Sequence, residues 1–177
     1  MAVVGEKSSM PLAVLGTGIL GSAIARRLLE AGYPLVVYNR TRRKAEALAA
    51  LGARVADSPA QAIEAAEAVL VVLTDGPAVE QVLFQSRPEL QFKNKLIIQT
   101  STILPEENRR FAERIKQAGG RYLEAPVLGS VPEARERRLI VMAAGPEQLF
   151  QEARPVLETL GPDPVYVGPY GQAAALK

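Results

Sequence analysis

Gly16-Thr17-Gly18-Ile19-Leu20-Gly21 follows directly on the apolar run Leu12–Leu15 and opens a helical stretch from Ile19 to Ala31. A glycine-rich turn between a buried strand and a helix N-terminus is a place to hold a diphosphate. Gly16 permits the tight turn, Gly18 lets backbone approach phosphate, and Gly21 lets helix and strand pack closely. The unpaired N–H groups and the helix dipole then attract the anion. The alternative, a βα turn with no ligand, has against it that this motif has both the strand before it and the helix after it.

About twenty residues on, where such a fingerprint reads the ribose, the strand Leu35–Tyr38 ends in Asn39-Arg40-Thr41-Arg42-Arg43. An acidic side chain there would accept hydrogen bonds from ribose hydroxyls and repel a 2′-phosphate. Its replacement by Asn39 and Arg40 points to NADP. Arg40 can grip the phosphate in bidentate fashion, Thr41 can donate its hydroxyl, and Arg42, Arg43 or Lys44 can add positive field. A solvated basic helix start is the competing reading of the same charges.

The 177 residues contain no cysteine and no histidine. This removes disulfides, thiol nucleophiles and the commonest metal ligand and general base, so no metal is expected and acid–base work falls to Lys, Asp, Glu or Tyr. Hydrophobic residues make up 48% and charged residues 23%, as in an ordinary globular domain. The net charge is +2 with no tryptophan, and no aromatic platform interleaves with the basic residues, which argues against nucleic acid. No apolar run reaches membrane-spanning length and the first residues lack a signal-peptide core. A cytoplasmic protein with a flexible leader over residues 1–10 is expected.

Strands and helices alternate along the rest of the chain. Lys44 to Leu51 reads as a helix closed by Gly52, Arg54–Ala56 as a short strand, and Asp57-Ser58-Pro59 as the cap of the next helix. Ala68–Leu73 and Leu96–Gln99 read as central strands, with a helix at Val79–Phe84 between them and a charged helix at Glu106–Ala118 after them. Tyr122–Ala125, Leu139–Ala144 and Val165–Val167 complete the strands. A polar segment holding Pro126, Gly129 and Pro132 separates the first two, and a helix over Glu147–Leu160, with a possible break at Pro155, precedes the last. The pattern predicts an α/β fold, a doubly wound and mostly parallel sheet with helices on both faces.

Four ordered segments resemble the β-hydroxyacid dehydrogenases, the family of 3-hydroxyisobutyrate and 6-phosphogluconate dehydrogenases and of the glyoxylate or succinic semialdehyde reductases. They are the Gly16–Gly21 turn with Asn39-Arg40-Thr41; Ser101-Thr102-Ile103-Leu104-Pro105; Glu124-Ala125-Pro126-Val127; and the stretch from Gly168 to Lys177. The resemblance implies a Rossmann-type NADP-binding domain over 11–168. It also implies a small-molecule carbonyl or hydroxy-acid substrate, and Lys177 as the general acid/base. By the same resemblance Leu73-Thr74-Asp75 runs beside the nicotinamide-side ribose, and Ser101 and Thr102 reach nicotinamide and substrate. Both loops follow strands, where ligands of such sheets lie. Helix capping is the alternative role for Ser101 and Thr102.

Two departures from the pattern stand out. Leu128 replaces the serine of the family's substrate loop, leaving Gly129 and Ser130 as the groups able to offer an N–H and a hydroxyl to a substrate. The basic residues Arg135, Arg137 and Arg138 read as a solvated turn. The family continues into an all-helical domain that completes the active site and the dimer, so 169–177 is expected to begin an interdomain helix. The chain by itself is then expected to bind dinucleotide without turnover, with oligomerisation falling to the further domain. An imine reductase is an alternative activity, with Lys177 favouring carbonyl chemistry, and a non-catalytic NADPH-binding module is another.

Overall fold

The computed structural model describes residues 9–85 and 92–177. The expected leader falls mostly outside the described residues; of its described part, Met10 packs against the core.

Short apolar tetrapeptides form the centre of the sheet because both of their faces are covered. β1 (Leu12–Leu15), β4 (Ala68–Val71) and β5 (Leu96–Gln99) are buried at every position. Beside them lie β2 (Leu35–Tyr38), β3 (Arg54–Val55) and β6 (Arg121–Glu124). The six run parallel in the order β3-β2-β1-β4-β5-β6. Alternate residues of one strand feed opposite cores, as the two-residue period of a strand requires. Leu12 and Val14 pack with Ile24, Leu28, Val156 and Leu157, and Ala13 and Leu15 with Ile63, Leu83, Phe111 and Ile115. Helices α1 (Ile19–Glu30) and α7 (Glu147–Glu158) therefore cover one face, and α3 (Pro59–Glu64), α4 (Gly76–Phe84) and α5 (Pro105–Gln117) the other.

The order reverses at β1, with β2 and β3 built to one side and β4 to β6 to the other. Leu12 pairs with both Leu35 and Ala68, and Ala68 with Leu96, so the central strands start level. Their carboxyl ends are level too, and the loops that leave them open a crevice at this switch point.

The chain departs from the expected pattern in a few places. The helix expected over Lys44–Leu51 divides into α2 (Arg42–Glu46) and a 3-10 turn at Ala49–Leu51. From Ala45 onward the bonds run three residues back, Leu48 N–H to the Ala45 carbonyl and Leu51 N–H to the Leu48 carbonyl. Gly52 ends the turn at φ +103°. Helix α4 begins three residues before expectation because Asp75 caps it. The polar segment after β6 holds β7 (Val127–Leu128) and the single-turn α6 (Val131–Arg135). The signal for α6 was present, since Ser130-x-x-Glu133 forms a capping box. β8 (Ile140–Ala144) runs antiparallel to β6 and β7, and β9 (Val165–Gly168) parallel to β8. Helix α7 passes through Pro155 without ending; the ring lies on its exposed side, where the carbonyl freed of its partner can be hydrated. Last comes α8 (Gln172–Leu176). Among the described residues, no helix is long and apolar enough to cross a membrane.

Candidate functional site

The three glycines of the first loop stand in different surroundings. A Cβ on Gly16, which sits at φ +101°, would lie 2.1 Å from the Val72 carbonyl oxygen, and one on Gly21 would lie 1.9 Å from the Gly16 carbonyl oxygen. Both glycines are therefore demanded by the packing of strand, loop and helix. A Cβ on Gly18 would meet nothing within 4 Å. The fold itself gives no reason for glycine there; close approach of a ligand does.

Polar groups around the loop hold its shape. The Gly16 N–H donates to the Tyr38 carbonyl (2.8 Å) and the Thr17 N–H to Asn39 Oδ1 (2.9 Å). Asn39 Nδ2 donates in turn to the Thr41 carbonyl (3.0 Å), and Ser22 Oγ to the Thr17 carbonyl (2.8 Å). No side chain caps α1, whose N-cap is Gly18, so its first amides face the crevice without a protein acceptor. Ile19, 83% exposed, stands at the mouth.

The crevice has a volume of about 370 Å³. One wall is Gly18 to Gly21, another is Val72, Leu73 and Thr74 after β4, and a third is Thr100, Ser101 and Thr102 after β5. Among the described residues, Arg40 and Lys177 are the charged ones on it, and none that lines it is acidic. Such a lining suits a polyanion. Thr100, which the sequence reading did not single out, lines the crevice too, and its buried Oγ1 has no partner among the described residues. The same is true of the buried Thr17 Oγ1, which does not line the crevice. Ala78, Gln81 and Val82 of α4 complete the lining.

The expected site residues divide into two groups. Gly18, Ile19, Leu20, Gly21, Arg40, Leu73, Thr74, Ser101, Thr102 and Lys177 come together around the crevice. Gly16, Thr17, Asn39, Thr41, Asp75, Gly129 and Ser130 do not line it. Gly16, Thr17 and Asn39 shape the loop from behind. Asp75 Oδ1 accepts the Ala78 N–H (2.8 Å) as the cap of α4, so its carboxylate serves the helix. The Ser130 N–H and Oγ both donate to Glu133 Oε2 (2.8 Å each) in the capping box of α6. A Cβ on Gly129 would fall against Leu139 and Glu133, so this loop too is shaped by packing.

Ser101 lines the crevice, yet its hydroxyl is spent inside the fold. It accepts the Leu73 N–H (2.8 Å) and donates to the Val71 carbonyl (3.2 Å), while its backbone is bracketed by the Gln99 amide. Ser101 thus ties the end of β5 to the loop after β4. The neighbouring Thr102 is exposed, and its Oγ1 accepts from Lys177 Nζ at 2.5 Å. Partial burial holds the Lys177 ammonium below the usual lysine range.

Among the basic residues after β2, Arg42 is engaged by Glu46 (2.8 Å) and by Asp57, and these carboxylates raise its pKa further. Arg40 has no such pair among the described residues and is the guanidinium on the crevice wall. The cluster at Arg135, Arg137 and Arg138 is exposed at the end of α6, where Arg137 Nε donates to the Glu158 carbonyl (2.5 Å) and Arg138 pairs with Glu136.

Comparison with known proteins agrees with this architecture. The family described as the NAD binding domain of 6-phosphogluconate dehydrogenase matches residues 11–168. The cytokine-like nuclear factor N-PAC of Drosophila melanogaster is 36% identical over 94% of this chain and 28% of its own length. Glyoxylate/succinic semialdehyde reductase 1 of Arabidopsis thaliana is 36% identical over 95% of this chain and 59% of its own. The imine reductase of Myxococcus stipitatus in complex with NADP+ superposes with a TM-score of 0.90 at 31% identity, covering 94% of this chain and 58% of that one. Its V8 variant in complex with NAD+ superposes with a TM-score of 0.91 at 28% identity, covering 96% and 58%. The chain thus spans less than two thirds of each of these proteins. It belongs to the family of NAD binding domains of the 6-phosphogluconate dehydrogenase type.

Proposed function

We propose that this chain is the cofactor-binding part of an NADP-dependent reductase of the β-hydroxyacid dehydrogenase type, acting on a small aldehyde or keto acid. The observation that carries the reading is the crevice at the switch point: an uncapped helix start, a Gly18 that the fold does not require, and, among the described residues, cationic side chains with no acidic one. The open space at Gly18 and the orphaned Thr100 hydroxyl fit a nicotinamide dinucleotide.

In this reading the amides at the start of α1 hold the diphosphate, and Arg40 holds the 2′-phosphate. When bound, the nicotinamide supplies the hydride. Lys177 Nζ gives its proton to the substrate oxygen as the carbonyl carbon is reduced, and takes it back in the oxidative direction. Thr102 keeps that ammonium at the crevice. Reduction of a carbon–nitrogen double bond is the second reading, favoured by the close superposition on an imine reductase.

Calorimetric titration with NADPH and with NADH tests the cofactor assignment. NADPH is expected to bind more tightly, and Arg40→Ala to weaken it by about tenfold or more with little effect on NADH, the loss of a charge-assisted contact. Absence of heat with either coenzyme overturns the reading; equal affinities overturn the phosphate preference alone. Turnover of NADPH by the full gene product with glyoxylate or succinic semialdehyde, set against a cyclic imine, separates the two activities.

A further inference from the structure

Helix α8, whose Gln172–Leu176 precede Lys177, is tied to other elements of the fold at its first turn. The Glu124 carboxylate, with no exposure to solvent, accepts the Gly171 N–H on one oxygen and the Ala174 N–H on the other, both at 2.6 Å. These are the N-cap and third-residue amides of α8, groups that have no acceptor within a helix. A negative charge at that end also complements the helix dipole.

Other contacts converge on the same turn. Arg109 Nε donates to the Tyr170 carbonyl (3.2 Å), and the Tyr170 hydroxyl donates to the Tyr122 carbonyl (2.6 Å). Gly171 sits at φ +94° with the Arg109 guanidinium packed on it, a Cβ there falling 2.5 Å from Nη2. Ala173 is fully buried against Met142 and Ala144. One turn later the Lys177 N–H closes on the Ala173 carbonyl (3.2 Å), and its side chain reaches back to Thr102.

We propose that Glu124 is a positioning residue for Lys177: by holding the first turn of α8 it directs the Lys177 ammonium onto Thr102 at the cofactor crevice. The importance of that ammonium for catalysis rests on the function proposed above, but its placement does not. Glu124 touches neither crevice nor substrate; it acts through the helix. Its carboxyl pKa is raised by burial, against which the two amides and the Arg109 charge work.

The test follows the amine of Lys177 in the intact 177-residue chain. Acylation by a limiting amount of an N-hydroxysuccinimide ester, read by peptide mass spectrometry across a pH series, gives the Lys177 titration midpoint, expected in the folded chain below its own midpoint in the urea-denatured chain. In Glu124→Gln, which keeps the side chain's shape but removes one acceptor, the midpoint is expected to rise toward the denatured-chain value, slowing the labelling of Lys177 below both midpoints. Glu124→Asp, which keeps the charge, is expected to restore part of the shift. A purely structural role would lower the melting temperature and leave the Lys177 midpoint in the folded variant unchanged, and that result overturns the proposal.

A second measurement needs no variant. Amide exchange of Gly171 and Ala174 in the parent chain is expected to be slowed well beyond that of uncapped helix-start amides such as Leu20. Exchange at the same rate as Leu20 overturns the proposal even if every Glu124 variant fails to fold. Because neither readout involves coenzyme, failure here is distinct from failure to bind NADPH.

Discussion

Asn39 braces the glycine loop: its Oδ1 accepts the Thr17 N–H at 2.9 Å while its Nδ2 donates to the Thr41 carbonyl at 3.0 Å. One side chain at the end of β2 therefore sets both the curvature of the diphosphate loop and the turn that carries Arg40. Its contribution to cofactor choice lies in what it holds as well as in the carboxylate it replaces.

Two substitutions separate those contributions. Asn39→Ala leaves the Thr17 amide without its acceptor and is expected to cost about 1–3 kcal/mol of stability in urea denaturation. Asn39→Asp keeps the acceptor but loses the donor to Thr41 and sets a negative charge beside Arg40. It is expected to weaken NADPH binding about tenfold or more while affecting NADH far less. An alanine variant as stable as the parent would show that the brace is idle.

The glycines of the first loop are expected to respond in opposite ways. Gly21→Ala forces a methyl group to within 1.9 Å of the Gly16 carbonyl oxygen and should cost about 1–3 kcal/mol as helix and loop separate. Gly18→Ala meets no protein atom within 4 Å and has an ordinary backbone at φ −67°, so its melting temperature should stay near the parent's. Its affinity for coenzyme should nevertheless fall, because the added methyl occupies the space left for phosphate. If Gly18→Ala binds NADPH as tightly as the parent, the diphosphate lies elsewhere.

Ser101 offers a third test, since a residue can line a cleft without serving it. Its hydroxyl joins the Leu73 N–H and the Val71 carbonyl. Ser101→Ala leaves the Leu73 N–H without its acceptor, while the Val71 carbonyl keeps the Thr100 N–H (2.9 Å), and is expected to destabilise the fold by about 1–3 kcal/mol. In the folded variant, coenzyme affinity should change less than in Arg40→Ala. Unchanged stability together with lost affinity would mean that the hydroxyl turns toward ligand.

These contrasts mark what could be read from the sequence and what could not. β1, β4 and β5 were legible because strands covered on both faces are unbroken apolar runs, and Gly16 to Gly21 because a strand and a helix flank it. The polar segment after β6 gave no periodicity, since a two-residue strand and a five-residue helix are too short to show one. The employment of polar side chains was hidden for a different reason. Ser101 meets a carbonyl thirty residues away and Glu124 meets amides some fifty residues on, so whether such groups face ligand or fold depends on which strands lie side by side. Asp75 and Ser130 were open to a local reading, as caps three residues ahead of their partners.

Lys177 supplies the last prediction, which turns on the sign of a pKa shift. Desolvation beside the crevice lowers its pKa, so the folded chain releases this proton at a lower pH than the unfolded chain does. Folding is then favoured slightly as pH rises through that interval, because the unfolded chain binds the proton more tightly. The Thr102 hydroxyl opposes the shift by accepting a hydrogen bond from the charged form. Thr102→Val removes the acceptor at nearly constant volume, and the Lys177 pKa is expected to fall further. Reduction, which needs the ammonium, should then fail at a lower pH in the full gene product, while oxidation, which needs the free amine, should begin at a lower pH. A pH titration of the Lys177 Cε chemical shift measures the change directly. A midpoint that stays put or rises in Thr102→Val would mean that the Thr102 hydroxyl does not favour the charged lysine.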